Sequence, residues 1–129
     1  KRNYMRDMFL HTSIIFIGGG IGSTLRYLIG KAFSIFHLTF PYHTFLINIF
    51  GCLLYGLWLF KIGRNIDHHS FIHQFITIGL LGGFTTFSAF GFETFQMLHD
   101  GNWLTGMLYS TLSVLLGVAS IYIGFRLSS

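Results

Sequence analysis

From Tyr42 to Phe60 the chain carries no charged side chain, and three other runs are almost as free of charge: about Met8 to Phe33, Phe71 to Phe95 and Trp103 to Phe125. A helix crosses the hydrocarbon core of a bilayer with about 20 apolar residues, so each run is long enough to span. Short polar connectors separate them, at Ser34–Phe40, Lys61–Ser70 and Gln96–Asn102. Inside lipid the backbone must satisfy its own hydrogen bonds, which only helices and closed barrels achieve. A barrel needs segments of about ten residues with alternating polarity, whereas these runs are apolar on all sides. The sequence therefore predicts an all-α membrane protein with four transmembrane helices, at about 8–33, 42–60, 71–95 and 103–125, and a single domain over 1–129. No small-residue cleavage site follows the first run and further spans come after it, so it reads as a span and not as a cleavable signal. Pro41 stands just before the second run, a residue suited to a helix start.

Composition supports this reading. Charged residues are 9% of the 129, against roughly 25% in an ordinary soluble domain. Eight Lys and Arg with four Asp and Glu do not cover a water-facing surface, and 52% hydrophobic residues argue against disorder. The net charge of +4 comes from scattered basic residues, which leave no nucleic-acid footprint. Cys52 is the one cysteine, so there is neither an intrachain disulfide nor a cysteine-based metal cluster. His68, His69 and His73 are close together but lack acidic or cysteine companions, a weak basis for a metal site. A Ser-His-Asp set, an HExxH motif and paired carboxylates are all missing, so no enzyme is indicated. The cluster Gly18-Gly19-Gly20-Ile21-Gly22-Ser23 fails a Gly-x-Gly-x-x-Gly pattern in every register, and close helix contact is the better account of it. Basic residues set orientation. Lys1, Arg2, Arg6, Lys61, Arg64 and Arg126 fall on the side holding both termini, Lys31 and Arg26 on the other, which favours both termini inside.

The third run holds the most chemistry. Gly82-Gly83 and then Thr85-Thr86 weaken a helix at mid-membrane, because Gly costs about 1 kcal/mol relative to Ala and Thr competes for backbone bonds. Irregular backbone at that depth is tolerated only where it is buried in protein or lines a cavity; the alternative is that the glycines serve close packing alone. The sequence thus predicts a third helix broken mid-membrane. Phe87 and Phe90 lie three apart on one helix face. A phenyl ring has a positive edge that suits an anion, although packing is the commoner use of such a pair. Asn48 sits well inside the second span and either glues two helices or lines a pore; Thr44, Asn48 and Cys52 share its face at four-residue spacing. Tyr109, Ser113 and Gly117 repeat that spacing in the fourth run, with Thr105 one step earlier. Arg26 reads as a snorkelling residue or a vestibule cation, and Glu93 as an acid near a helix end, paired, solvated or functional.

These residues fall in a known pattern. Gly82-Gly83-Phe84-Thr85-Thr86-Phe87-Ser88-Ala89-Phe90 resembles the signature of the Fluc (CrcB) family of fluoride ion channels. Gly19-Gly20-Ile21-Gly22-Ser23-Thr24-Leu25-Arg26-Tyr27 is similar to its first-helix motif, and Asn48-Ile49-Phe50-Gly51-Cys52 to its second-helix motif. The resemblance implies a fluoride-selective channel, exporting cytoplasmic fluoride passively, in a bacterial plasma membrane. It implies an antiparallel dimer with two pores. Phe87 and Phe90 would turn ring edges to the ion, Asn48 would donate to fluoride with Thr44 and Ser88 nearby, and Tyr109 and Ser113 would continue a polar track. Glu93 would stand at the pore mouth and Arg26 in the vestibule. Backbone carbonyls of Gly82 and Thr85 from both subunits would hold a structural sodium ion. Gly117 and Ala89 depart from the pattern, which often has serine and threonine there, and the far end of the track is thereby left open. A homodimer is the default partner arrangement; the uneven Lys and Arg distribution motivates a heterodimer with an oppositely oriented paralogue. The competing reading, a small proton-coupled or multidrug transporter of four-helix dual-topology type, wants a central acid in the first helix, where none stands.

Overall fold

The structure is a computed structural model describing residues 2–36, 39–59 and 70–128. Lys61, Arg64, His68 and His69, which entered the orientation count and the histidine cluster, lie outside the described residues, as do Lys1 and Phe60. Four helical stretches make up the chain, and no strand occurs among the described residues. Helix α1 runs Arg2–Ser34 and α2 runs Tyr42–Leu57. The third stretch is composite: α3 is Phe71–Gln74, a π-helical segment follows at Phe75–Leu81, and α4 is a single turn at Gly82–Phe84. Helix α5 takes over at Phe87–His99, and α6 is Trp103–Leu127.

The ends have local causes. Helix α1, 33 residues long, extends about 50 Å at 1.5 Å per residue. That exceeds the hydrocarbon thickness, so its expected start near Met8 moves back to Arg2. Ser70 caps α3 by accepting from His73 N–H at 3.3 Å. At the other end of this stretch, Gln96 to His99 remain helical, so the expected connector shrinks to Asp100–Asn102. Gly101, at φ +80°, makes this possible: its N–H donates to Leu98 O at 3.2 Å, and Asn102 N–H donates to Met97 O at 2.8 Å. This paired closure needs a left-handed residue just past the helix, which glycine adopts without strain.

Helix α2 packs along α6, and α1 packs along the π-helical segment and α4. Both contacts are made by glycines. A Cβ on Gly22 would overlap Leu80 O and lie 2.7 Å from Phe84 N, and one on Gly18 would lie 2.7 Å from Phe75 O. Gly83 faces back in the same way, with a Cβ 2.5 Å from Gly19 O. On the other contact, Gly56 and Gly124 abut the backbone of α6 and α2. The glycine cluster of the first run therefore serves close helix approach, as read from sequence. The Gly82-Gly83 pair divides: Gly83 is a packing residue, while a Cβ on Gly82 would meet only Thr77 O at 3.5 Å.

The hydrophobic core is small, consisting of Ile47, Leu81, Phe84 and Tyr109, and large apolar side chains cover the outside of every helix. That is the reverse of a water-soluble surface. Three of the stretches, Tyr4–Ser34, Phe71–His99 and Trp103–Leu127, are long and apolar enough to cross a membrane, with the shorter apolar helix Tyr42–Leu57 between them. The chain is a multi-pass helical membrane protein.

Replacing Gly22 with Ala should lower stability by roughly 1–3 kcal/mol, because the new methyl meets backbone that cannot rotate away. Gly20, with nothing within 4 Å of its Cβ direction, should tolerate Ala or gain about 0.5–1 kcal/mol. Thermal unfolding of the two variants in detergent compares them.

Candidate functional site

The helix pauses at Thr85 (φ −79°, ψ 159°) and Thr86 (φ −148°, ψ 118°), both extended. Asn48, reaching across from α2, explains how the pause is held. Its Oδ1 accepts from Thr86 N–H at 2.8 Å, and its Nδ2 donates to Thr86 O at 3.0 Å. A continuous helix would send the Thr86 N–H to Gly82 O. The next diversion is local: Ala89 N–H, which would serve Thr85 O, donates instead to Thr86 Oγ1 at 3.2 Å. The carbonyls of Gly82 and Thr85 thus both lose their helical donors to side chains. Thr85 itself is anchored backwards, its N–H and Oγ1 both donating to Leu81 O at 3.0 Å. Between the two carbonyls, Gly83 O accepts from Arg26 Nε at 3.2 Å. Arg26 thereby ties α1 to the turn that precedes Thr85.

Asn48 resolves in both directions. It glues two helices, and it lines a cleft of about 300 Å³ together with Cys52, Phe87, Phe90, Ser113 and Gly117. An amide nitrogen carries two N–H donors, and Thr86 O takes one. Phe87 and Phe90 sit with ring centroids 5.5 Å apart and planes tilted by 46°. Phe90 also leans on Tyr109 at 5.4 Å, whereas Phe87 is 82% exposed. Ser113 Oγ is buried at the cleft wall without a hydrogen-bond partner among the described residues. Among the described residues, none that lines this cleft is charged.

Glu93 organises a second cluster. Thr44 Oγ1 donates to its Oε1 at 2.6 Å and Tyr109 O–H donates to its Oε2 at 2.7 Å. Thr44 and Tyr109 are almost fully buried, and Tyr109 is walled by Phe40, Phe45 and Phe90. Glu93 opens onto a cavity of about 450 Å³, which Thr39, His43, Gln96 and Asp100 also line. Tyr109 therefore joins Glu93 and Thr44 more closely than it joins Ser113. Thr105 is exposed and takes no part in the row. Ser88 is exposed beside the break, with Oγ 3.3 Å from Thr86 Oγ1.

Sequence reasoning missed His43, whose Nε2 lies 3.8 Å from Glu93 Oε1. It stands one residue before Thr44, an ionisable group opening the polar stripe of α2, and that position was the available signal. Of the histidine cluster, His73 is buried near the start of α3 with Nδ1 accepting from Trp58 Nε1–H at 3.3 Å. No group of three or more His, Cys, Asp and Glu suited to a metal occurs among the described residues.

A helical multi-pass bundle with a side-chain-held helix pause and, beside it, a mostly apolar cleft into which an amide and a hydroxyl reach belongs to a membrane transport class more than to an enzyme class. The comparisons agree. The chain matches the family described as CrcB-like protein, Camphor Resistance (CrcB), over residues 13–125. A protein of Chloroflexus aurantiacus named Fluoride-specific ion channel FluC is 44% identical over 114 residues, covering 88% of this chain and 90% of that protein. Proteins of the same name from Flavobacterium psychrophilum and Phocaeicola vulgatus are 42% and 41% identical, over 85% and 89% of this chain and 90% and 95% of their own lengths. The chain belongs to the CrcB family.

Asn48→Ala removes both bonds that hold Thr86. In a nonpolar surrounding each unmet backbone group costs about 1–3 kcal/mol, so the variant should lose on the order of 2–4 kcal/mol relative to wild type. Unfolding midpoints in detergent measure the difference.

Proposed function

We propose that this chain is a fluoride-selective channel, through which cytoplasmic fluoride leaves passively down its electrochemical gradient, and that it reduces fluoride toxicity in a bacterial plasma membrane. The observation that carries the reading is the uncharged cleft where Asn48, Phe87, Phe90 and Ser113 converge. The names of the relatives support it.

Fluoride is small, strongly hydrated and a strong hydrogen-bond acceptor. Releasing it from water takes donors in its place, and conduction requires that none of them hold it too long. A neutral amide, a hydroxyl and positive ring edges meet both demands, where a fixed cation in the cleft would trap the ion. The second N–H of Asn48 and the Ser113 hydroxyl are the donors; Phe87 and Phe90 present ring edges. Thr44, Tyr109 and Glu93 continue the path toward the larger cavity, with Ser88 near the break and Arg26 adding positive potential. The helix pause sits at mid-membrane in this reading, protected by protein.

The functional unit is an antiparallel dimer, and the high exposure of Phe87 suits a ring that a second subunit covers. A homodimer of dual topology is the default; the Lys and Arg bias leaves the heterodimer with an opposite-topology paralogue as the alternative. The backbone carbonyls of Gly82 and Thr85 from both subunits would hold a structural sodium ion. The fit rests on the diverted donors of these two carbonyls, which suit a hard monovalent cation. When bound, the cation raises the local potential for anions.

Proteoliposomes carrying the purified chain should release fluoride down a gradient much faster than chloride; fluoride flux no greater than chloride flux or empty-vesicle leak would defeat the proposal. Phe87→Ile and Phe90→Ile should each cut fluoride flux while the dimer remains folded, and unchanged flux in both would return the rings to packing. Exchanging sodium for N-methylglucamine should lower the unfolding midpoint, since a ligand at a hundredfold excess over its Kd stabilises by about 2.7 kcal/mol. An unmoved midpoint would remove the sodium site.

A further inference from the structure

An anion that follows the path above must pass a carboxylate. Both oxygens of Glu93 accept hydrogen bonds, from Thr44 and Tyr109, and both donors are neutral. The carboxylate faces the cavity of about 450 Å³ through which fluoride would come or go. Asp100 lines the same cavity and adds to the repulsion. The site therefore needs a positive group close to Glu93.

His43 is placed to supply it. Its ring is on the cavity wall, its side chain is 40% exposed, and its Nε2 is 3.8 Å from Glu93 Oε1. That distance is within ion-pair range but beyond a hydrogen bond, so the imidazole is adjacent to the carboxylate without being locked to it. Gly30 of α1 lies beside the ring, where a Cβ would be in ordinary contact with His43 Cδ2 at 3.5 Å. Among the described residues, the neighbours that face the ring from each element offer no other cation. From α1 the cavity is lined by Gly30, Phe33 and Ser34, and Lys31 lies over the Tyr27 ring instead. From α5 come Glu93 and, at its cap, Asp100, which pairs with His99 at 3.4 Å. From α6, Tyr109 gives its hydroxyl to Glu93.

We propose that His43, in its protonated form, is the counter-charge that lets an anion pass Glu93, so that protonation of His43 sets the rate at which anions pass that mouth. This rests on the channel reading and adds a residue and a regulation to it. Histidine is the side chain whose charge changes between about pH 5 and 8. With the proton on, the imidazolium offsets Glu93 and an approaching anion meets a near-neutral mouth. With the proton off, Glu93 is left without that counter-charge and entry slows. The sign is fixed: flux rises as pH falls through the histidine range.

The test is fluoride efflux from proteoliposomes at matched internal and external pH between about 5.5 and 8.5, with protein-free vesicles subtracting the permeation of hydrogen fluoride. Wild type should lose flux, roughly tenfold on the scale of electrostatic focusing at charged clefts, as pH rises. His43→Gln should be slow and flat across the range. His43→Arg should be flat and fast, because its charge does not titrate. A pH profile in His43→Gln that matches wild type, or a wild-type profile that is flat once leak is removed, overturns the inference while leaving the channel reading intact. Absence of fluoride-selective flux in wild type at every pH overturns the channel reading, and this inference falls with it. Equal unfolding midpoints for the three proteins exclude misfolding as the cause of a slow variant.

Discussion

The pair of hydrogen bonds between Asn48 and the backbone of Thr86 governs the rest of the site. In lipid an extended residue inside a helix leaves backbone groups that cost several kcal/mol each if unmet. Asn48 meets both groups of Thr86 at once, so the chain can pause there without penalty. Because the Thr86 N–H is occupied, Gly82 O loses its helical donor; because Thr86 Oγ1 then caps α5, Thr85 O loses its own. The direction in which α5 restarts carries Phe87 and Phe90 to the cleft beside Asn48. One amide therefore fixes the pause, the two carbonyls and the two rings.

That arrangement is supported from the α1 side by absence of side chains. Gly18 and Gly22 let the backbone of α1 approach the π-helical segment and α4 to contact distance, and Gly83 answers from the other helix. Only at this distance does Arg26 reach Gly83 O. Its bond occupies the carbonyl between Gly82 and Thr85, leaving those two as the ones whose donors have been withdrawn. Packing that looks purely structural thus decides which carbonyl of the turn is taken by a side chain.

Much of this was legible in residue order. The apolar runs predict the helices because their length and lack of charge leave no other fold in lipid. The weakness of the third helix is readable at Thr85-Thr86, and Asn48 is conspicuous as an amide in a charge-free span. Pairings between distant residues were not legible. Thr44 shares a helical face with Asn48, yet its hydroxyl goes to Glu93, 49 positions away. Arg26 is equally compatible with snorkelling until α1 is docked. The π-helical turn at Phe75–Leu81 has no local signature, since Phe-Ile-Thr-Ile-Gly-Leu-Leu reads as an ordinary apolar run.

By itself the sequence determined that the chain is a helical membrane protein, where its helices lie, and which polar residues are too costly in lipid to be idle. Those follow from the transfer cost of charges and of unpaired backbone, which depends on each residue and its near neighbours. Tertiary structure alone decided the partners: Asn48 with Thr86, Arg26 with Gly83, and Glu93 with Thr44, Tyr109 and His43. The physical reason is range. Hydropathy acts along a helix and is written in spacing, whereas hydrogen bonds and ion pairs act over about 3–4 Å and exist only once glycine-faced helices have brought distant segments together.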